Sequence, residues 1–397
     1  MREGWEYKKL GDVVTTINGL WTGKKPPFIN VAVIRNTNFT KDCELDMTNI
    51  AYIDVEQKQY STRKLLPGDI IIEKSGGSDK QPVGRAILFN INEGEYSFSN
   101  FTSMLRIVNN CDLLPTFLHK FLQAKYRQGV TRSMQAKTIG IHNLDFKAYK
   151  NQKVPLPPLS TQQSIVSELD KINELISLKK SQLEDLDSLA QSIFYDMFGD
   201  PVENEKGWEV KKIGDICTDM KYGTSKPACI NGQYKYLRMC NLTYNGYLDL
   251  SDIKTIDIPD DEIEKCIVRK GDILFNRTNS IELVGKTCMF EEDEPMVIAG
   301  YIIRVRLNEY ILPVYLTRSF NLPSMKKIIR NMAKGAVNQA NINSKQLASI
   351  HIPLPPLSLQ QTFAKRIEVI EQQKQQINKT IKDLETLLAS RMQYWFD

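Results

Sequence analysis

Two stretches of the chain place apolar residues in alternating steps of four and three. In the first, Ile165, Leu169, Ile172, Ile176, Leu183, Leu186, Ala190, Ile193 and Met197 hold the stripe, with Lys179 interrupting it. In the second, Phe363, Ile367, Ile370, Ile377, Ile381, Leu384, Leu388 and Trp395 hold it, with Lys374 and Arg391 at seam positions. That period marks one face of a helix. No glycine or proline falls between 161 and 198 or between 359 and 397, so each stretch predicts one helix of about 38 residues, ~57 Å long at 1.5 Å per residue. Surface helices seldom run so far, and a stripe this long needs a helical partner. Each helix is the nearest candidate for the other, and antiparallel pairing is expected because each must hand the chain back to a globular segment at its far end.

Elsewhere the pattern shortens. Apolar, β-rich runs at Val31–Ile34, Asp69–Ile72, Ala86–Phe89 and Met104–Val108 lie between Gly, Asn and Pro punctuation, and similar runs return at Tyr234–Leu237, Asp272–Phe275, Thr287–Phe290 and Ile302–Leu307. Leu113–Tyr126 and Pro313–Met332 read as helical. The chain repeats itself: G-W-E-Y-K-K-L-G-D-V at 4–13 returns as G-W-E-V-K-K-I-G-D-I at 207–216, and P-L-P-P-L-S-T-Q-Q at 155–163 returns as P-L-P-P-L-S-L-Q-Q at 353–361. The offset drifts from 203 through 201 to 198, so loops change length inside a common frame. The paired prolines stop regular structure, and Ser160 and Ser358 are expected to cap the helices that follow. The expected class is α+β, with two tandem α/β domains separated by two long antiparallel coiled-coil helices and a pseudo-twofold internal repeat. Their bounds are 1–157, 158–199 (first helix), 200–355 and 356–397 (second helix).

Composition narrows the function. No run approaches the ~18 apolar residues of a membrane span, and the charged start precedes no apolar signal segment, so a cytoplasmic protein is expected. The seven cysteines are scattered without a close pair and only three histidines accompany them, which favours reduced, mostly buried thiols over a zinc site or disulfides. The net charge of +5 is concentrated in the two long globular segments, most of it in the first. That is the footprint expected where those segments meet phosphate.

Catalytic readings fail one by one. Val284-Gly285-Lys286-Thr287 resembles the end of a phosphate-cradling loop, but Ser280 stands where that loop needs its first glycine, and Ala86 replaces the hydroxyl in the other copy. Asp69 with Glu73-Lys74 lacks nuclease spacing, and the second copy has Asn276-Arg277 there. No G-x-G-x-x-G occurs. A non-enzymatic scaffold of two protein-interaction modules on a coiled-coil stalk remains the alternative to nucleic-acid binding.

The order module, helix, module, helix, the L-E-D-L-D-S-L-A-Q-S-I-F-Y-D-M-F-G-D-P run at 183–201 and the paired P-L-P-P-L-S-x-Q-Q entries resemble the specificity subunit of type I restriction-modification systems, over essentially the whole chain. The resemblance implies two target recognition domains on antiparallel helices, with the second helix ending near the start of the first module. It implies a non-catalytic subunit that binds a bipartite double-stranded DNA target, one half-site per domain, with the helices setting the gap. It also implies two modification (methyltransferase) subunits and two ATP-driven restriction subunits as partners. S-adenosylmethionine, ATP and Mg would then sit on those partners and not on this chain.

For DNA contacts, the loop Asn276, Arg277, Thr278, Asn279, Ser280 carries base-reading residue types, since Arg matches guanine and Asn adenine in the major groove. Its counterpart holds Lys74, Ser75, Ser78 and Lys80, as two different half-sites require. Four pairs recur at equivalent positions: Arg35 with Arg238, Asn38 with Asn241, Arg106 with Arg304, and Arg132 with Arg330. Recurrence suits phosphate positioning, and it suits fold-stabilising ion pairs nearly as well. Lys24, Lys25, Tyr222, Ser225 and Lys226 sit on early loops as further candidates.

Overall fold

The computed structural model describes residues 4–21, 25–79, 81–138, 141–336 and 339–397. Five helices carry the frame: α1 (Pro115–Arg127), α2 (Leu159–Phe198), α3 (Pro313–Asn321), α4 (Pro323–Met332) and α5 (Leu357–Phe396). The chain forms two compact units that cut across the linear order: residues 1–180 with 379–397, and residues 181–378. Each unit therefore takes part of both long helices.

Each helix is 40 residues long. In the first unit, Glu168 of α2 pairs with Arg391 of α5 and Lys180 faces Glu385. In the second, Asp187 meets Lys374, and Phe194 packs edge-on to Phe363 with ring centroids 5.5 Å apart. Rising numbers on one helix meet falling numbers on the other in both units, so the helices are antiparallel as the hand-back argument requires. Lys374 does not interrupt the seam as a solvated charge. It is buried, and its ammonium reaches the Asp187 carboxylate and the Tyr247 hydroxyl, while Tyr247 also bonds Glu371.

The expected serine caps do not form. Both helices begin one residue earlier, at Leu159 and Leu357, and the fully buried Gln162 and Gln360 anchor their first turns to the module. Gln162 Nε2 donates to the carbonyls of Asp112 and Pro157 while its Oε1 accepts from Leu114 N. Gln360 repeats this with Tyr310, Pro355 and Leu312. A buried amide needs all of these partners, which explains why Q-Q follows each proline run.

The module interiors are built alike. In the first unit a four-stranded antiparallel sheet has the order Val14–Asn18, Thr102–Ile107, Ile70–Glu73, Ala86–Leu88; in the second the order is Cys217–Tyr222, Ile302–Leu307, Ile273–Asn276, Thr287–Met289. A second sheet pairs Phe28–Ile34 in parallel with Tyr96–Phe98, and Tyr234–Leu237 likewise with Met296–Ile298. A strand from each G-W-E segment, Glu6–Lys9 or Val210–Lys212, closes against the residues just before the helix, Lys153–Leu156 or His351–Pro353. Helix ends complete the cores: Phe396 lies 5.5 Å from Phe117, and Phe198 lies 4.8 Å from Tyr315. Trp5 and Trp395 stack with rings 4° from parallel, so the second helix does end beside the start of the first module.

Pro313–Met332 is not one helix. Pro323 forbids the helical conformation at the residue before it, and Leu322 turns extended at φ −70, ψ 147 between α3 and α4.

Equivalent positions hold different buried chemistry. Glu73 and Arg85 form a bidentate ion pair at 2.8 Å, both side chains buried, with Arg85 also donating to Phe39 O. In the second unit Asn276 and Lys286 stand there; Asn276 Nδ2 donates to Tyr301 O and Lys286 Nζ to Met239 O. Removing one partner of a buried pair strands the other. Glu73→Asn is therefore expected to destabilise the first unit by about 3–5 kcal/mol, and adding Arg85→Lys, which copies the second unit, to recover much of that loss. Urea unfolding of the four members of the cycle measures it; additive effects of the two changes would refute the coupling.

His119 is fully enclosed, its Nε2 within 3.1 Å of the carbonyls of Cys43 and Ala86. Burial, aided by Lys120, pushes its pKa down to about 4. Between pH 6.5 and 4 the unfolded chain binds the proton and the folded one does not, so stability is expected to fall as pH drops through that window. His119→Gln should flatten the fall in pH-dependent denaturation midpoints.

Candidate nucleic-acid interface

At the end of the central strand in each unit the chain leaves the sheet and pairs with a late hairpin. Ser75–Gly77 joins Ile141–Leu144, and Thr278–Asn279 joins Gln339–Asn341. The backbone match is close: Lys74 N donates to Phe101 O and Leu144 N to Lys74 O, as Arg277 N donates to Tyr301 O and Ile342 N to Arg277 O. Lys74, Ser75 and Asn143 thus correspond to Arg277, Thr278 and Asn341.

Each trio is a cation, a hydroxyl and an asparagine, with the hydroxyl bonded to the asparagine in both units. In the first unit Ser75 Oγ bonds Asn143 Oδ1, Lys74 Nζ donates to Asn18 Oδ1 at 3.1 Å, and Asn36 Nδ2 donates to Ser75 O at 2.6 Å. Burial pulls the Lys74 ammonium below the usual lysine range, a cost that a nearby phosphate or base acceptor offsets. In the second unit Asn341 accepts from Arg277 Nη2 at 3.0 Å and donates to Thr278 Oγ1 at 3.0 Å. The guanidinium lies 4.9 Å over the Tyr222 ring, and Tyr222 is itself fixed by Ser344. Asn18 and Tyr222 occupy equivalent strand ends, paired with Ser103 and Ile303. A planar cation steadied by an aromatic face, with N–H groups to spare, is equipped for bidentate acceptors.

Other expected contacts are not available. Asn276 is fully buried and its amide is spent on Thr278 O and Tyr301 O, so it supports the loop instead of meeting DNA. Thr278 is also buried. Asn279 donates to Asn276 and accepts from Ser280 N, while the Ser280 hydroxyl bonds Glu282. Asn38 and Asn241, 1% and 2% exposed, each hold a turn by donating to Asp46 O and Asn49 O, or to Asp249 O and Asp252 O. Their repetition reflects the fold.

The pairing of Arg106 with Arg304 is corrected by strand register. Ile70 faces Leu105 and Ile273 faces Val305, so Arg106 corresponds to Arg306, and both grip the equivalent Asp69 or Asp272. Arg304 replaces Met104, is wholly buried against Asp219 and the carbonyls of Glu264 and Ile267, and touches no solvent. These arginines are structural. Arg35 bonds Asn49 O, and Arg238 bonds Asp252.

Among the remaining candidates, Lys25, Ser78, Ser225 and Arg132 have exposed side chains. Lys226 pairs with Glu262 at 3.0 Å. Arg330 lies with Lys326 against the Tyr244 ring, Lys326 Nζ 3.6 Å from its centroid. Lys24 and Lys80 lie outside the described residues. Asn143 and Asn341 were not singled out in the sequence, although continuing the repeat at offset 198 aligns them.

A family model for the type I restriction modification DNA specificity domain matches residues 2–187 and again 205–386. The chain is 26% identical over 388 residues to the type I restriction enzyme EcoKI specificity subunit of Escherichia coli K12, covering 92% of this chain and 82% of that protein. It is 24% identical over 412 residues to the StySPI specificity subunit of Salmonella potsdam, covering 98% and 87%. A chain solved in a study of complex assembly and conformational transition of the type I R-M system superposes with a TM-score of 0.60 at 17% identity, covering 100% and 98%. The S subunit of a type I system from M. genitalium gives 0.52 at 13%, covering 99% and 96%. With both halves of the chain matched and both built on one frame, the protein belongs to the type I restriction-modification DNA specificity family.

Proposed function

We propose that this chain is the sequence-reading, non-catalytic subunit of a type I restriction-modification complex, acting in the cytoplasm. Each unit reads one half of a bipartite duplex target, and the antiparallel helices fix the unread gap. Modification and restriction subunits, two of each, assemble on it and bring S-adenosylmethionine, ATP and Mg. The observation that carries the reading is the doubled site: one backbone frame presents Lys74 and Asn143 in one unit and Arg277 and Asn341 in the other, with Ser75 and the buried Thr278 bonding the asparagine. A shared frame with different polar tips suits two different half-sites, because phosphate spacing is common and base edges are not. Among the described residues no helix is long and apolar enough to cross a membrane, and no cluster of His, Cys, Asp or Glu could hold a metal.

Mapping N6-methyladenine across the host genome with and without the gene tests this. The expected result is loss of one bipartite motif of fixed gap on deletion; an unchanged methylome beside salt-insensitive binding of the folded protein to duplex DNA would overturn it. Within the complex, Arg277→Lys is expected to weaken binding by about 1–3 kcal/mol and to relax selectivity at one position of a single half-site. Lys74→Gln should affect only the other half-site. Equal loss at both half-sites, read by competition binding, would contradict the assignment of one unit to each.

A further inference from the structure

Beside the reading strand of the first unit lies a concave pocket of about 460 Å³. Trp21 and Phe101, 63% and 44% exposed, line it, with Val33 and Val55 on its walls. Three of its polar lining residues each have a buried atom with no hydrogen-bond partner among the described residues: Arg35 Nε, Asn36 Oδ1 and Ser99 Oγ. The amide of Asn36 cannot turn to relieve this, because its Nδ2 is held by Ser75 O. Gly76 keeps the approach tight at φ +98, where a Cβ would come within 2.9 Å of Asn36 Nδ2. Buried donors and acceptors left unpaired are costly unless something else satisfies them.

The second unit supplies an internal comparison. Strand register and bridges put Met239 at the place of Asn36, Ala299 at that of Ser99 and Ser225 at that of Trp21. The two unpaired oxygens and the indole are therefore private to the first unit.

We infer that this pocket accepts one nucleobase drawn out of the stack of the half-site read by the first unit, an inference that rests on the DNA-reading function. Apolar walls with two exposed aromatic rings suit a planar base, the polar lining of Arg35, Asn36, Ser99 and Asn100 suits its edge, and the volume falls in the range of ligand pockets. A phosphate is a poorer fit, since the Asp54 carboxylate also lines the pocket, with one oxygen bonded to Asn30.

Extruding a base costs its pairing and stacking, so a duplex already weakened at that position binds better. The test uses the full-length chain without other subunits and duplexes carrying the bipartite target found by methylome mapping, with an abasic site placed opposite each base in turn. Binding is expected to tighten by about tenfold at one position of the first unit's half-site and to weaken or stay level at all others. Asn36→Met and Ser99→Ala, which copy the second unit, should abolish the gain while leaving affinity for the other half-site intact. If intact target is bound selectively yet no abasic position tightens binding, or if the gain survives both substitutions, the pocket does not hold a base and the DNA-reading function stands. If intact target is not bound selectively, the reading itself fails and takes the pocket with it.

Discussion

Two buried glutamine side chains decide how everything else is hung. Gln162 and Gln360 each tie the first turn of a long helix to the segment that enters the preceding module helix, using both ends of the amide. With no solvent to substitute for those carbonyls, breaking the contact would leave buried polar groups unpaired. The ion pairs of Arg391 and Lys374 and the aromatic closure by Phe198 and Phe396 are made further along helices whose first turns are held in this way.

On this frame the two units diverge where side chains face inward as well as outward. A buried ion pair in one is an amide and a lysine in the other, and Met104 in one is a buried arginine in the other. Two of the backbone hydrogen bonds that place the reading strand, Lys74 N to Phe101 O with Leu144 N to Lys74 O, recur as Arg277 N to Tyr301 O with Ile342 N to Arg277 O. Strand order and pairing, not side-chain identity, are what the repeat preserves, with local bulges at His142/Asn143 in one unit and at Cys217/Asp219 in the other. The polar tips change with their own supports: Lys74 rests on Asn18 where Arg277 rests on Tyr222 and Asn341.

The long helices, the module order and most sheet strands were legible from periodicity and self-comparison, since burial imposes period and a repeat needs no propensity argument. Tyr234–Leu237 and Ile302–Leu307 coincide with observed strands residue for residue. The site was less legible. Arg304 and Arg306 both align with Arg106 within the drifting offset, and only strand pairing tells them apart. Asn276 carries the side chain of a base reader but faces inward, because alternation along Ile273–Asn276 gives way to burial on both faces. The break at Pro323 could have been read, as proline constrains its predecessor locally. The glutamine locks could not, because their partners lie about 50 residues away.

The first unit is assembled from residues 1–180 and 379–397, whereas the second needs only the chain between them. During synthesis, therefore, the second module has its full complement of residues first. In the earlier-made one, Phe117 and Phe121 gain Phe396 as a packing partner only after the whole of the second unit's sequence has been made.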